Sequence, residues 1–209
     1  MIAIILIAAE WIAGSYVPPA ESDVTVFKAG TEIDGRVCKI FRIPAFAVAP
    51  NGDLVAVCDA RWKSHVDLFE GGDISLAVSR STDHGRTWSA PTLAWKFPAK
   101  KDGGWFVSDP SLVTDAVTKE MFLVQNARNP ADRRNRHFVF VQKSTDNGRT
   151  WTKPADITSA FREKGWKDDE YVLMTSGRGI QLKDGTLAFC QNHVDCSRGR
   201  LVGSRDHGK

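Results

Sequence analysis

Short apolar runs separated by polar turns set the grammar of this chain. Ala45 to Ala49 leads into Pro50-Asn51-Gly52-Asp53 and then into Leu54 to Cys58. An Asn-Gly pair between two such runs predicts a β-hairpin, because both residues tolerate the positive φ that a tight turn between twisted strands requires. The same grammar recurs at Ile74 to Val78, Met121 to Gln125 and Phe138 to Gln142, and in Ile180 to Phe189, where Asp184-Gly185 supplies the turn. No segment sustains the three-to-four-residue apolar spacing of a helix, so the expected class is all-β. Asn126 to His137, with Arg128, Arg133, Arg134 and Arg136, carries no such pattern and reads as a long polar loop.

An octapeptide is laid over this grammar. Ser81-Thr82-Asp83-His84-Gly85-Arg86-Thr87-Trp88 returns as Ser144-Thr145-Asp146-Asn147-Gly148-Arg149-Thr150-Trp151, and a third copy begins at Ser204 as Ser204-Arg205-Asp206-His207-Gly208-Lys209. From Ser81 to Ser144 is 63 residues, and from Ser144 to Ser204 is 60. Gly85 and Gly148 can take positive φ without steric cost, and Asp83 and Asp146 can accept from turn amides that would otherwise be unpaired. Trp88 and Trp151 are expected to restart the strand and bury a ring. One carboxylate per copy falls well short of a calcium shell, and an active site is built once rather than repeated. Asp83, Asp146 and Asp206 are therefore read as structural. Hairpins repeating about every sixty residues suit a β-propeller, with a sandwich as the alternative.

Composition narrows the partners. The net charge of +3, from 28 basic and 25 acidic residues, is too balanced to predict nucleic acid or an anionic membrane. Cys38, Cys58, Cys190 and Cys196 lack metal-ligand spacing, so neither a metal nor a cofactor is expected, and Cys58, inside an apolar run, reads as a buried free thiol. The uncharged run Ile2 to Ala9, followed by Ala13-Gly14-Ser15 and Pro18-Pro19, resembles a secretory signal and is too short to span a membrane. Residues 1–20 as a signal peptide would make the protein secreted or periplasmic; an N-terminal strand is the alternative.

The repeated octapeptide resembles the Asp box, or bacterial neuraminidase repeat, of sialidases and some other propellers. Phe41-Arg42-Ile43-Pro44 is similar to the Phe-Arg-Ile-Pro signature of sialidases, whose arginine is one of three that clasp a substrate carboxylate. A planar, permanently charged guanidinium suits a carboxylate bidentately. By the same resemblance, Arg61 in Val57-Cys58-Asp59-Ala60-Arg61-Trp62 supports the acyl-group side of the site, Asp67 serves as general acid/base with Glu70 and Asp73 as rivals, and Asp109 in Ser108-Asp109-Pro110-Ser111 holds a ring hydroxyl. Without the resemblance, the last motif reads equally as an ordinary Asp-Pro turn. Gly177 to Leu182 looks like a blade-opening strand.

The resemblance implies a six-bladed propeller, of which residues 21–209 cover roughly the first three to four blades, broken off inside the third Asp box. It implies a retaining exo-α-sialidase acting on terminal α-linked sialic acids of glycoconjugates, with a tyrosine nucleophile. That tyrosine, its glutamate and the other two carboxylate-binding arginines are expected past Lys209, and neither Tyr16 nor Tyr171 stands in the family position. The chain alone is accordingly expected to be poorly stable and inactive. The rivals are a non-catalytic Asp-box propeller that binds sialoglycans or a protein, and another Asp-box glycoside hydrolase, whose neutral sugars would give Arg42 no carboxylate.

Overall fold

The Asn51-Gly52 turn does join two long strands, and the rest of the chain follows its example. A computed structural model describes residues 24–98, 104–134, 136–166, 172–193 and 197–209. The signal-like segment, Tyr16, Tyr171 and Cys196 lie outside these residues.

A small hairpin, β1 (Glu32–Ile33) with β2 (Arg36–Val37), precedes the first main sheet. That sheet is antiparallel, in the order β3 (Ile40–Val48), β4 (Leu54–Arg61), β5 (Ile74–Ser81), β6 (Thr92–Leu93). The second repeats it with β7 (Phe106–Thr114), β8 (Met121–Arg128), β9 (His137–Ser144) and β10 (Ala155–Asp156). A single helical turn, α1 (Thr158–Phe161), follows. In the third sheet β14 (Leu187–His193) pairs with β15 (Gly199–Ser204) on one side; on the other it pairs with β11 (Val172–Met174) and β13 (Ile180–Gln181). Between those two, β12 (Gly177–Arg178) runs parallel to β7 and joins the second sheet to the third.

The sheets bury their faces against one another. Ala45 and Ala47 of β3 and Ala49 just after it, with Val55 and Val57 of β4, pack on Leu112, Met121, Leu123 and Phe140 of the second sheet. Phe122, Val124 and Val139 on its other side meet Val172, Leu187 and Phe189 of the third. A strand covered on both faces has no need of alternation, which is why β4 and β8 are apolar almost throughout.

Two inner strands carry the same irregularity. Pairing with the neighbouring strand skips from Arg42 to Ala45 in β3 and from Ser108 to Ser111 in β7. Inside each skip a non-glycine residue takes left-handed backbone, Ile43 at φ 58° and Asp109 at φ 54°, and a proline follows it. A proline cannot donate to a ladder, so within a sheet it belongs at a bulge. Ser108-Asp109-Pro110 is thus not a turn but a bulge inside a strand. The expected loop from Asn126 to His137 shortens from both ends for a related reason: Asn126 to Arg128 extend β8, and His137 opens β9.

The octapeptides sit between the third and fourth strands of the first two sheets. Asp83 accepts from the Thr87 amide (2.9 Å) and hydroxyl (2.5 Å), and Asp146 accepts from the same atoms of Thr150 (2.9 and 2.6 Å). In the third copy Ser204 donates to Asp206 at 2.6 Å and accepts from the Gly208 amide. The tryptophans depart from expectation: strands resume four residues later, at Thr92 and Ala155, because the box itself occupies the turn. Trp151 is buried in the first core, whereas Trp88 is half exposed and donates to the Gly85 carbonyl.

Candidate active site

Strand register separates two ends of each sheet. Leu54 pairs with Ser81 at the end that carries the first octapeptide, and Arg61 pairs with Ile74 at the other. In the second sheet Met121 pairs with Ser144, next to its octapeptide, and Arg128 pairs with His137 opposite Phe106. Arg42, Arg61, Asp67 and Asp109 all belong to the end remote from the octapeptides.

The loop from Trp62 to Asp73 returns to its start, its ends joined by the Trp62 amide donating to the Asp73 carbonyl (3.1 Å). Within it Asp67 precedes a short 3-10 turn, Leu68–Glu70, and its carbonyl accepts from the amides of Glu70 and Gly72. Leu68 is buried, and the Phe69 ring stacks on His137 with centroids 3.3 Å apart. The loop is therefore pinned from below, and the Asp67 side chain stands 56% exposed above it.

Asp67 Oδ1 accepts from Arg61 Nη1 at 2.6 Å and from Arg42 Nη1 at 3.4 Å. Both guanidinium groups also donate to the His65 carbonyl, at 2.6 and 3.1 Å, and Arg61 to that of Val66. Of the three loop acids only Asp67 bonds to both arginines. Asp73 pairs with Arg36 and Lys63 (2.9 and 3.7 Å), and Glu70 faces a separate cleft with Arg36 and Lys63. Arg42 is exposed, but Arg61 is 1% exposed, and its Nε finds no partner among the described residues.

Asp59 had no role in the sequence reading, and it lies under everything. Wholly buried, it accepts from Arg61 Nη2 at 3.0 Å through Oδ2 and from the Asp109 amide at 3.0 Å through Oδ1. Burial drives its carboxyl up to about 8, the nearby Asp109 carboxylate adding to the rise and Arg61 opposing it. Burial pulls the Arg61 guanidinium down, but its bonds to Asp67 and Asp59 outweigh that and leave it raised. The available signal was the spacing: residues 59 and 61 of one strand share a face, so an acid two places before an arginine in an apolar run is already a pair.

Asn126 was likewise missed, having been assigned to a loop. Its side chain donates to Asp109 Oδ2 (3.0 Å) and the Met174 carbonyl (3.0 Å) and accepts from the Met174 amide (2.8 Å). Asp109 Oδ2 also accepts from the Ser108 hydroxyl at 2.8 Å. One connected set of polar groups thus runs from Arg42 on the first sheet to Met174 on the third. Cys58, a buried free thiol as expected, is pushed up to about 12 by burial and by the neighbouring Asp59, and it donates to the Arg42 carbonyl. Among the described residues no helix is long and apolar enough to cross a membrane.

Stacked antiparallel sheets, with charged side chains gathered at the end opposite the repeated turns, make this an all-β protein, and its fold resembles that of solved sialidase β-propellers. A family model described as a BNR repeat-like domain matches residues 43–200. The sialidase of Bacteroides fragilis is 34% identical over 191 residues, covering 81% of this chain and 34% of that protein. That of Micromonospora viridifaciens is 35% identical over 198 residues, covering 86% of this chain and 28% of that protein. Among solved structures, a Hadza microbial sialidase superimposes with a TM-score of 0.70 at 32% identity over 81% of this chain and 36% of that chain. The intramolecular trans-sialidase from Ruminococcus gnavus gives 0.73 at 17% identity, over 91% of this chain and 63% of that one, a likeness of fold. The chain belongs to the sialidase family with BNR repeats. It spans about a third of the length of these two curated relatives.

Proposed function

We propose that this chain supplies the acid and part of the carboxylate-binding half of an exo-α-sialidase site, in the first three sheets of a six-bladed propeller. The observation that carries this reading is the convergence of Arg42, Arg61 and Asp67 through direct hydrogen bonds, with Asp109 joined to them by Asp59. Arg42, exposed and charged, binds the carboxylate of a terminal sialic acid. Asp67 takes up a donor of Arg42, so a carboxylate bound by Arg42 replaces Asp67 there and leaves it to face the glycosidic oxygen. Asp67 then protonates that oxygen as the glycosidic bond breaks, and afterwards removes a proton from the attacking water. Arg61 holds Asp67 and the loop carbonyls beside it, and Asp109 accepts from a ring hydroxyl.

The short span of this chain against its relatives supports placing the remaining blades, and the tyrosine nucleophile with its glutamate, in further sequence. The 209 residues alone are then expected to turn over an α-sialoside poorly. Secretion or a periplasmic location belongs to the same proposal, supported by the signal-like segment in residues 1–20.

The test is a fluorogenic α-sialoside assay of the complete protein with and without Asp67→Asn, alongside binding of a non-hydrolysable sialic acid analogue. Loss of most turnover with binding retained supports a hydrolase. Binding without turnover in the unsubstituted protein would point instead to a sialoglycan-binding propeller.

A further inference from the structure

Asp59 is expensive to keep. It replaces what would otherwise be an apolar residue in a strand running Val55, Ala56, Val57, Cys58, then Ala60, all buried. A buried carboxyl group costs stability unless its oxygens are hydrogen-bonded, so its presence calls for a partner that an apolar side chain could not serve. It has two. One is Arg61 Nη2; the other is the backbone N–H of Asp109. That amide lies inside the skip between Ser108 and Ser111, where pairing between β7 and β8 gives residue 109 no ladder partner. Asp59 on the first sheet therefore closes a bulge on the second.

We propose that Asp59 is a positioning residue that locks Arg61 and the Asp109 bulge into one unit, fixing the distance between the acid-bearing side of the site and the hydroxyl-binding side. The consequence for catalysis rests on the sialidase reading; the lock itself does not. The charged and titratable groups around Asp59 are Arg42, its cross-strand partner on β3, Arg61 and the Cys58 thiol on its own strand, Asp109 on β7, and Asp67 reached through Arg61. Without the Asp59 carboxyl, Arg61 keeps only its bonds to Asp67 and to the His65 and Val66 carbonyls, all on the loop side. Asn at this position can still accept from the Asp109 amide but turns an NH2 group toward the guanidinium, breaking one leg and sparing the other.

Two readouts decide it. In the 15N-labelled complete protein, the amide of Asp109 and the Nε of Arg61 are followed from pH 3 to 9. Both are expected to shift with one shared inflection as Asp59, its carboxyl raised by burial, ionises, and in Asp59→Asn that shared inflection should vanish. An Asp109 amide that shares no inflection with Arg61 Nε in the unsubstituted protein overturns the lock, and this measurement stands even if the variant does not fold. In the complete protein, Asp59→Asn is expected to lower kcat/KM about 100-fold for a natural sialoside, as a misplacement of about 1 Å can. The loss should be far smaller for an aryl sialoside whose leaving group needs no proton. Equal losses on the two substrates would reduce Asp59 to a general structural role and overturn its positioning role. If the unsubstituted protein cleaves neither substrate, the sialidase reading fails while the amide titration still judges the lock.

Discussion

Gly148 of the second octapeptide lies against Val55 of the first sheet, so close that a Cβ added to it would stand 2.9 and 3.1 Å from the two Val55 methyls. The third copy does the same one sheet later, where a Cβ on Gly208 would meet Phe122 at 2.5 Å. Val55 and Phe122 are each the second residue of the second strand of their sheets. The octapeptide is therefore also a joint: Arg80 of β5, itself paired with Asp53, donates to the Asn147 carbonyl at 2.8 Å, and His207 reaches the buried Asp115 at 2.7 Å. The second and third boxes each fasten their own sheet to the one before.

Replacing Gly148 by Ala should thus destabilise the chain twice over. Its φ of 77° is left-handed, a strain of roughly 1–2 kcal/mol for a residue with a Cβ. Overpacking against Val55 adds about 1–3 kcal/mol. Gly85, also left-handed but meeting only a Leu54 methyl at 3.4 Å, should show the strain alone. Urea unfolding of Gly148→Ala and Gly85→Ala measures the difference, and equal losses would show that the box is no joint.

Asp146 binds four donors within its own turn: the Ser144 hydroxyl, the amides of Arg149 and Thr150, and the Thr150 hydroxyl. Truncating it to Ala leaves those groups competing for water at a partly buried site, a loss of about 1–3 kcal/mol. Because the box stands at the far end of the sheet, the Asp109 and Arg61 NMR signals should not move. A shift at that end would contradict the separation of joint from site.

Much of this was legible from residue order. Hairpin signals located the strands because a turn residue such as Gly52 has a purely local requirement, and the octapeptides marked the turns for the same reason. Arg42, Arg61, Asp67 and Asp109 were found through resemblance, and the structure brings all four to one end. What escaped depends on pairing between distant strands. Asp59 became notable only when the β7 bulge offered it an amide. Asn126 was lost to a loop because its strand continues past the apolar run by virtue of partners at Asp109 and Met174, far away in sequence. Trp88 and Trp151 were expected to be alike, yet only Trp151 is fully packed, in the core between the first and second sheets.

Phe69 holds the acid-bearing loop by stacking on His137, a contact made across sheets. An aromatic pair adds about 0.5–1.5 kcal/mol beyond its area. Phe69→Ala should therefore speed hydrogen exchange at the amides of Glu70, Gly71 and Gly72, which close the loop onto the carbonyls of Asp67 and Leu68. The Thr87 and Thr150 amides, held by their boxes, should exchange as before. Uniform acceleration at both ends would mean global destabilisation rather than a released loop.

The pH dependence of stability follows from two buried groups that pull in opposite directions. Asp59, near 3.9 when unfolded and about 8 when folded, keeps a proton in the native state that the unfolded chain has already lost. Stability therefore falls as pH rises from about 4 to about 8, by at most about 1.4 kcal/mol per unit. Burial, with the Arg128 charge adding, lowers His137 from about 6.5 to about 3, so there the unfolded chain binds a proton the native state refuses, and stability falls as pH drops through that window. Between about 4 and 6.5 the two slopes offset. Below 4 the depressed carboxyl of Asp115, held down to about 2 by its hydrogen bonds against the opposing effect of burial, adds a further loss. The urea midpoint should accordingly be highest near pH 4–6.5 and decline on both sides. In Asp59→Asn the alkaline decline between about 6.5 and 8 should flatten, and the plateau between about 4 and 6.5 should tilt into the uncompensated His137 slope, stability falling as pH drops; an alkaline slope that survives the substitution would assign the raised proton affinity to some other group.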